Sequence, residues 1–189
     1  PLTFAVASGP ANGSLSGTAP DLTYTPNQDY HGPDSFTFTA NDGTNGNELW
    51  KSNGTSAGTT LVANIYLNSG SSSPAELTNV NGTLYFVAAD DMHGIELWRT
   101  DAAEGAVMVK DIRPGAGSSV IQQLIDVNGT LFFVVDDGVS GGELWKSDGT
   151  ESGTVLLNDI NPGPSGSNIT KFVAFRDALW FTATTDARA

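Results

Sequence analysis

Short aromatic and β-branched runs, separated by polar, glycine-rich stretches, set the hydrophobic pattern of this chain. Thr83-Leu84-Tyr85-Phe86-Val87-Ala88 and Thr130-Leu131-Phe132-Phe133-Val134-Val135 have the length and composition of strands. Each is entered through an Asn-Gly pair, Asn81-Gly82 or Asn128-Gly129. That pair favours a tight type I′ hairpin, because both central residues take positive φ. The segments before the turns, 77–80 and 124–127, are therefore predicted to be partner strands. After each run come a short polar loop, a Glu-Leu-Trp strand, a turn and a last strand over 107–112 or 155–160. No substantial helix is predicted. The longer stretches free of Gly and Pro, 118–128 and 167–189, fall on strands of the same pattern.

The pattern is an internal repeat. Glu48-Leu49-Trp50 returns as Glu96-Leu97-Trp98 and as Glu143-Leu144-Trp145, at spacings of 48 and 47 residues. Asn81-Gly82-Thr83-Leu84 recurs as Asn128-Gly129-Thr130-Leu131 and, degraded, as Arg176-Asp177-Ala178-Leu179. Asp111-Ile112-Arg113-Pro114-Gly115 recurs as Asp159-Ile160-Asn161-Pro162-Gly163, with Asn64-Ile65-Tyr66 as a degenerate first copy. The predicted fold class is all-β, with propeller-like four-stranded antiparallel repeat units of about 47 residues, the size of a propeller blade. Counting back from Glu48 places Phe36 and Phe38 on Leu84 and Phe86, so 35–42 takes the place of a second strand. Upstream, 2–7, 13–16 and 22–25 are predicted as short strands. The last unit stops after its second strand near Ala183. Completion of that unit by the N-terminal strands is one expectation; a fragment whose remaining units lie elsewhere is the other.

Glu48-Leu49-Trp50-Lys51-Ser52-Asn53-Gly54-Thr55, and most fully Glu143-Leu144-Trp145-Lys146-Ser147-Asp148-Gly149-Thr150, resemble the bacterial ELWxxDGT repeat over residues 36–185. The middle copy departs from it, with Asp101-Ala102-Ala103 in place of Asp-Gly-Thr. The resemblance implies a piece of a large, exported, propeller-like protein with no defined activity. Pro10-Ala11-Asn12-Gly13-Ser14-Leu15, Leu22-Thr23-Tyr24-Thr25-Pro26, Asp34-Ser35-Phe36-Thr37-Phe38-Thr39 and Asn41-Asp42-Gly43 resemble the later strands of bacterial Ig-like or cadherin-like adhesin modules. This second resemblance covers residues 1–43 and implies an Ig-like strand segment ahead of the repeats. The two overlap at Phe36 to Gly43.

Charge narrows the partners. The 189 residues include 21 acidic and 8 basic side chains, a net charge of −13. With no cationic stripe to neutralise phosphates, nucleic acid and anionic membrane surfaces are poor partners. No apolar run has membrane-spanning length, so membrane insertion is not expected. The absence of cysteine removes a disulfide framework, a thiolate zinc site and a cysteine nucleophile. The opening Pro1-Leu2-Thr3-Phe4, without an initiator Met, a basic n-region or an h-region, is expected of a processed product or a piece of something longer.

The most repeated polar pattern is Asp, three residues, Gly, one residue, Glu: Asp42 with Glu48, Asp90 with Glu96, and Asp137 with Glu143. The two carboxylates stand at the ends of a short loop, and with loop carbonyls they could form the oxygen cage that Ca²⁺ requires. These six residues are the candidate metal ligands. The competing expectation is a hairpin with Gly at positive φ and a Glu that accepts hydrogen bonds from loop amides. Trp50, Trp98 and Trp145 fit either a sugar-stacking platform or packing between units, and identical placement in every copy favours packing. His31 and His93 lie in unrelated contexts, without a zinc spacing. There is no GxSxG elbow. Asp90-Asp91 and Asp136-Asp137 are adjacent, so on a strand each pair points to opposite faces, which is a poor arrangement for glycosidase carboxyls. No catalytic residues are expected. The expected role is a non-enzymatic structural or adhesive module of a large secreted or cell-surface bacterial protein. Its expected partners are other copies or other modules of a surface protein, and glycans. A lectin-like ligand-binding propeller and a self-assembling filament or sheath subunit are the alternatives.

Overall fold

The computed structural model describes residues 3–18, 21–32, 34, 36–41, 45–67, 69–103 and 105–185. Among these, all regular structure is strand, as the alternating and apolar runs predict. The chain divides into two compact units, Pro1–Ser73 and Pro74–Ala189.

The first unit holds β1 (Thr3–Ser8), β2 (Gly13–Thr18), β3 (Asp21–Pro26), β4 (Thr37–Asn41), β5 (Asn47–Lys51) and β6 (Thr60–Ala63). β2 and β3 form a separate antiparallel hairpin, and the other four make one sheet in the order β1-β4-β5-β6. The Glu-Leu-Trp strand β5 thus lies between β4 and β6, in the place its repeat predicts. β1 hydrogen-bonds to β4, with Phe4 opposite Ala40 and Val6 opposite Phe38. The N-terminal strand therefore supplies the outer strand of the first repeat sheet. Asp34 ties the ends of this region together: its carboxylate accepts the N–H groups of Ala11 and Asn12 at 3.0 and 2.9 Å and the Tyr24 hydroxyl at 2.9 Å.

The second unit begins with β7 (Ala75–Val80), β8 (Thr83–Asp90), β9 (Gly94–Asp101) and β10 (Gly105–Lys110), a meander in the order β10-β9-β8-β7. β11 (Val120–Val127), β12 (Thr130–Asp136), β13 (Gly142–Ser147) and β14 (Val155–Asn158) repeat it. β15 (Thr170–Phe175) and β16 (Ala178–Thr182) form a two-stranded sheet equivalent to the first half of a further copy. Asn81 and Gly82 have φ of 50° and 86°, and Asn128 and Gly129 have 51° and 82°. These are the paired positive values that type I′ turns need. Each first strand also carries a bulge with a non-glycine residue at positive φ: Glu76, Gln123 and Lys171.

In the second unit, alternation along the strands gives the sheets two apolar faces, and successive sheets cover one another. Tyr85, Val87, Leu97 and Val109 of the second sheet form one cluster with Leu131, Phe133, Val135 and Trp145 of the third. The opposite face of the third sheet, Phe132, Val134 and Leu144, packs with Phe172, Leu179 and Phe181 of the two-stranded sheet. Polar links join the stack. The Arg99 guanidinium donates to the Gly149 carbonyl at 3.1 Å, Lys110 donates to the Thr154 carbonyl at 3.1 Å, and the Gln123 amide donates to the Ile169 carbonyl at 2.9 Å. Burial of these faces supplies the main folding free energy, at about 25 cal/mol per Å² of apolar surface. The second face of each sheet explains why isolated units are unfavourable and stacked ones are stable.

Candidate functional site

The repeated Glu is the most conspicuous polar feature of the structure. Glu48, Glu96 and Glu143 sit mid-strand on β5, β9 and β13, at 2%, 0% and 0% exposure. A buried carboxylate is costly unless hydrogen bonds compensate it. Glu96 accepts from the backbone N–H of Ile112 at 3.0 Å and of Arg113 at 3.4 Å, and from the Ser119 hydroxyl at 2.8 and 3.0 Å. Glu48 accepts from Ile65 N–H at 3.0 Å, Tyr66 N–H at 3.4 Å, Ser72 N–H at 3.1 Å and the Ser72 hydroxyl at 2.6 Å. Glu143 accepts from Ile160 N–H at 3.0 Å, Asn161 N–H at 3.3 Å and the Ser167 hydroxyl.

Each Glu therefore fastens the segment that leaves its sheet at two places, just beyond the last strand and at a buried serine further along. A backbone bond reinforces the second: Ser73, Ser119 and Ser167 N–H donate to the carbonyls of Asn47, Ile95 and Gly142. The glycine two residues before each Glu makes room for this return. Gly46, Gly94 and Gly141 have φ of 67°, 73° and 68°. A Cβ there would lie 1.8 Å from the Gly70 carbonyl, 2.7 Å from Ser118 Oγ and 2.4 Å from Gly166 N, respectively.

The aspartates of the pattern have other partners. Asp137 Oδ1 accepts the N–H groups of Val139 and Ser140 at 2.9 and 2.8 Å, closing the β12–β13 loop on itself. Asp90 Oδ1 accepts from Met92 and His93 N–H at 3.0 and 2.5 Å, and Asp90 Oδ2 lies 2.7 Å from His93 Nδ1. Desolvation pushes the Asp90 carboxyl up, but the bonds from His93 and Met92 outweigh it and hold Asp90 below the usual aspartate range. The same bond raises His93. Burial pushes Glu96 up, against the pull of its Ile112, Ser119 and Arg113 donors. Asp42 lies outside the described residues. The Asp and the Glu of each remaining pair bond to different groups. Among the described residues no set of three or more His, Cys, Asp or Glu side chains is placed to hold a metal ion.

The partner serines were the part that sequence reasoning passed over. Ser72, Ser119 and Ser167 follow their Glu by 24, 23 and 24 residues. That step is in phase with the repeat, and it is the only sequence signal of the contact. The Ser-Asp-Gly-Thr turn has a comparable internal logic. Asp148 Oδ1 accepts from Thr150 N–H and hydroxyl, Thr150 Oγ1 accepts from Gly153 N–H, and Ser147 and Thr154 hydroxyls pair at 2.8 Å. Asn53, Thr55, Gly58, Ser52 and Thr59 repeat every one of these bonds. In the middle copy the Ala103 N–H donates to Asp101 Oδ1. Trp98 and Trp145 are buried and Trp50 is half-buried, as packing residues are expected to be; Trp180 is exposed.

Residues 1–49 match the bacterial Ig domain. The chain thus carries an Ig-like segment whose last matched residues, Glu48 and Leu49, are already the start of the first Glu-Leu-Trp copy. Bacterial Ig domains are a non-enzymatic module type, often found at the cell surface or outside the cell. No curated protein and no solved structure matches the chain. Among the described residues, no helix is long and apolar enough to cross a membrane.

Proposed function

We propose that the chain is a structural or adhesive module of a large secreted or cell-surface bacterial protein, without catalytic activity. In this reading ELWxxDGT-type repeats stack as propeller-like blades behind the Ig-like segment. The observation that carries it is the buried Glu fastener, present in all three copies. The polar residues that recur most regularly bond to the protein's own backbone and serines rather than lining a cleft. Asp137 and Asp148 likewise hold their own loops, and Trp145 packs between the second and third sheets. What recurs builds a scaffold, and the loops at the sheet ends are left to vary.

The test is protease accessibility on intact bacteria that produce the protein, followed with an antibody to the repeats. Cleavage by added protease without lysis is the expected result. Protection until lysis overturns the surface assignment, and turnover of a polysaccharide panel that disappears in Asp137→Asn overturns the non-enzymatic one.

A further inference from the structure

Two turns of the second unit have the same residues and different surroundings. Val80-Asn81-Gly82-Thr83 joins β7 to β8, and Val127-Asn128-Gly129-Thr130 joins β11 to β12. Both Asn side chains are exposed, and in both turns Asn and Gly have paired positive φ. An Asn followed by Gly is open to attack by its own backbone, because glycine has no Cβ to shield its amide nitrogen. The residues flanking the two pairs are identical, so a difference in their reactivity must come from groups further away.

The group under attack is held in one turn and not in the other. Asn128 Nδ2 donates to the Asp177 carboxylate of the following turn at 2.9 Å. Asn81 has no such bond among the described residues; its Nδ2 lies against Gly129, where a Cβ would be 2.3 Å away. The attacking nitrogens differ as well. Gly82 N–H donates to the neutral Asn79 amide oxygen at 2.9 Å, and Gly129 N–H to the Asp126 carboxylate at 2.8 Å. The charge-assisted bond is the stronger, and the carboxylate opposes loss of the proton that the attack requires. The other Asn-Gly pairs are tied down. Asn53 Oδ1 accepts the Thr55 N–H and hydroxyl. Asn12 is bonded on both sides, its N–H to Asp34 and its carbonyl to the Asn27 N–H, and the Tyr24 ring lies on Gly13.

We propose that Asn81-Gly82 is the chain's preferred site of spontaneous deamidation, a covalent modification of the second sheet. The Gly82 nitrogen loses its proton to solvent base and bonds to Asn81 Cγ. The Cγ–Nδ2 bond breaks, and Nδ2 leaves as ammonia with a proton from water. Water then opens the five-membered imide at either carbonyl, leaving an aspartate or an isoaspartate at position 81. No oxidant and no second protein takes part. Either product adds a negative charge beside Gly129. Isoaspartate also lengthens the backbone of a two-residue turn that sets the register of β7 on β8.

Peptide mapping by mass spectrometry tests this on the full chain, incubated folded at mildly alkaline pH, with electron-transfer fragmentation to tell isoaspartate from aspartate. Asn81 is expected to convert about tenfold faster than Asn128, the ratio that one extra charge-assisted bond gives. In concentrated urea, where the identical flanking residues decide, the two rates are expected to converge. Asn79→Asp is expected to slow conversion at Asn81. Asp126→Asn and Asp177→Ala, each checked for an unchanged melt, are expected to speed it at Asn128. Equal rates at Asn81 and Asn128 in the folded chain overturn the proposal, as does earlier conversion at Asn53 or Asn12. A difference that persists undiminished in urea overturns the structural cause, and so does indifference of Asn128 to both changes around it. None of these outcomes depends on where the protein resides, so they leave the surface assignment standing.

Discussion

The first and third sheets are built on the same three strands and differ in the fourth. Both have a Glu-Leu-Trp strand at an inner position, a buried Glu fastener and a complete Ser-(Asp/Asn)-Gly-Thr turn. In the third sheet the outer strand β11 reaches β12 through Asn128-Gly129. In the first, β1 reaches β4 across residues 9–36, with the β2–β3 hairpin in between. The outer strand is therefore an exchangeable part. The three strands from the aromatic run to the last strand, with the fastened segment beyond them, are the constant unit, and an Ig-like strand can be joined to it without changing the order of the sheet.

The sharpest way to break the shared part is to remove the fastener. Glu143→Ala leaves the Ile160 and Asn161 amides and the Ser167 hydroxyl without their acceptor, and Glu48→Ala does the same for Ile65, Tyr66 and Ser72. Buried donors left unpaired cost about 1–3 kcal/mol each. Each variant should therefore lower unfolding free energy by about 3 kcal/mol or more, read by urea denaturation, and by similar amounts in the two sheets. A loss below about 1 kcal/mol in either sheet would mean that water replaces the carboxylate there.

The turns offer a smaller, asymmetric test. Gly149 and Gly54 have φ of 89° and 86°, so alanine strains both by about 1 kcal/mol. A Cβ on Gly149 would also lie 2.3 Å from the Tyr85 hydroxyl, whereas on Gly54 it would meet nothing within 4 Å. Gly149→Ala should therefore cost more than Gly54→Ala in a thermal melt, and Tyr85→Phe should narrow the gap.

Loop closure predicts a difference in local stability. Joining strands across 28 residues rather than two costs about 2 kcal/mol more in chain entropy, before the β2–β3 hairpin offsets part of it. In native-state hydrogen exchange, the β1 amides bonded to β4 should open at lower free energy than the β11 amides bonded to β12. Equal protection would show that the Asp34 contacts fully preorganise the long connection.

The Asp90–His93 pair of the second sheet gives a smaller, pH-dependent effect. His93 is raised in the folded state, so its contribution is complete below about 6.5 and is lost as pH rises through its folded value. Asp90 is lowered, so its contribution is present above about 3.9 and is lost as pH falls through its folded value. His93→Asn should therefore lower the melting temperature near pH 5.5 and leave it unchanged near pH 9. Calcium is the smallest effect expected. With Glu96 and Glu143 accepting N–H and O–H donors, millimolar CaCl₂ against EDTA should move the melt by less than about 1 °C; a larger rise, lost in Asp90→Asn, would place a cation in these loops.

Much of this fold was legible from the chain. The Asn-Gly turns, the aromatic runs and the recurrence of Glu-Leu-Trp predict the four-strand order of the second and third sheets. The partner of β1 was not legible. Residues 2–7 read as a strand, but pairing across 28 residues leaves no local mark. The Asp-x-x-x-Gly-x-Glu pattern was visible, and two chemistries fitted it, because a carboxylate serves a cation or a set of amides equally well in sequence terms. The donors to Glu96 are backbone groups 16 and 17 residues away, which carry no side-chain signature. Ser119 alone did, hidden in a stretch that reads as ordinary loop.

The fastener also decides how the chain would respond to tension. A pull along the backbone reaches each sheet through the segment that its Glu holds, so force falls on several short hydrogen bonds at once rather than peeling them singly. Glu96 and Glu143 are 47 residues apart, or about 160 Å of extended chain. A row of such sheets would yield one sheet at a time, each release lengthening the tether by that amount while the remaining sheets hold the load.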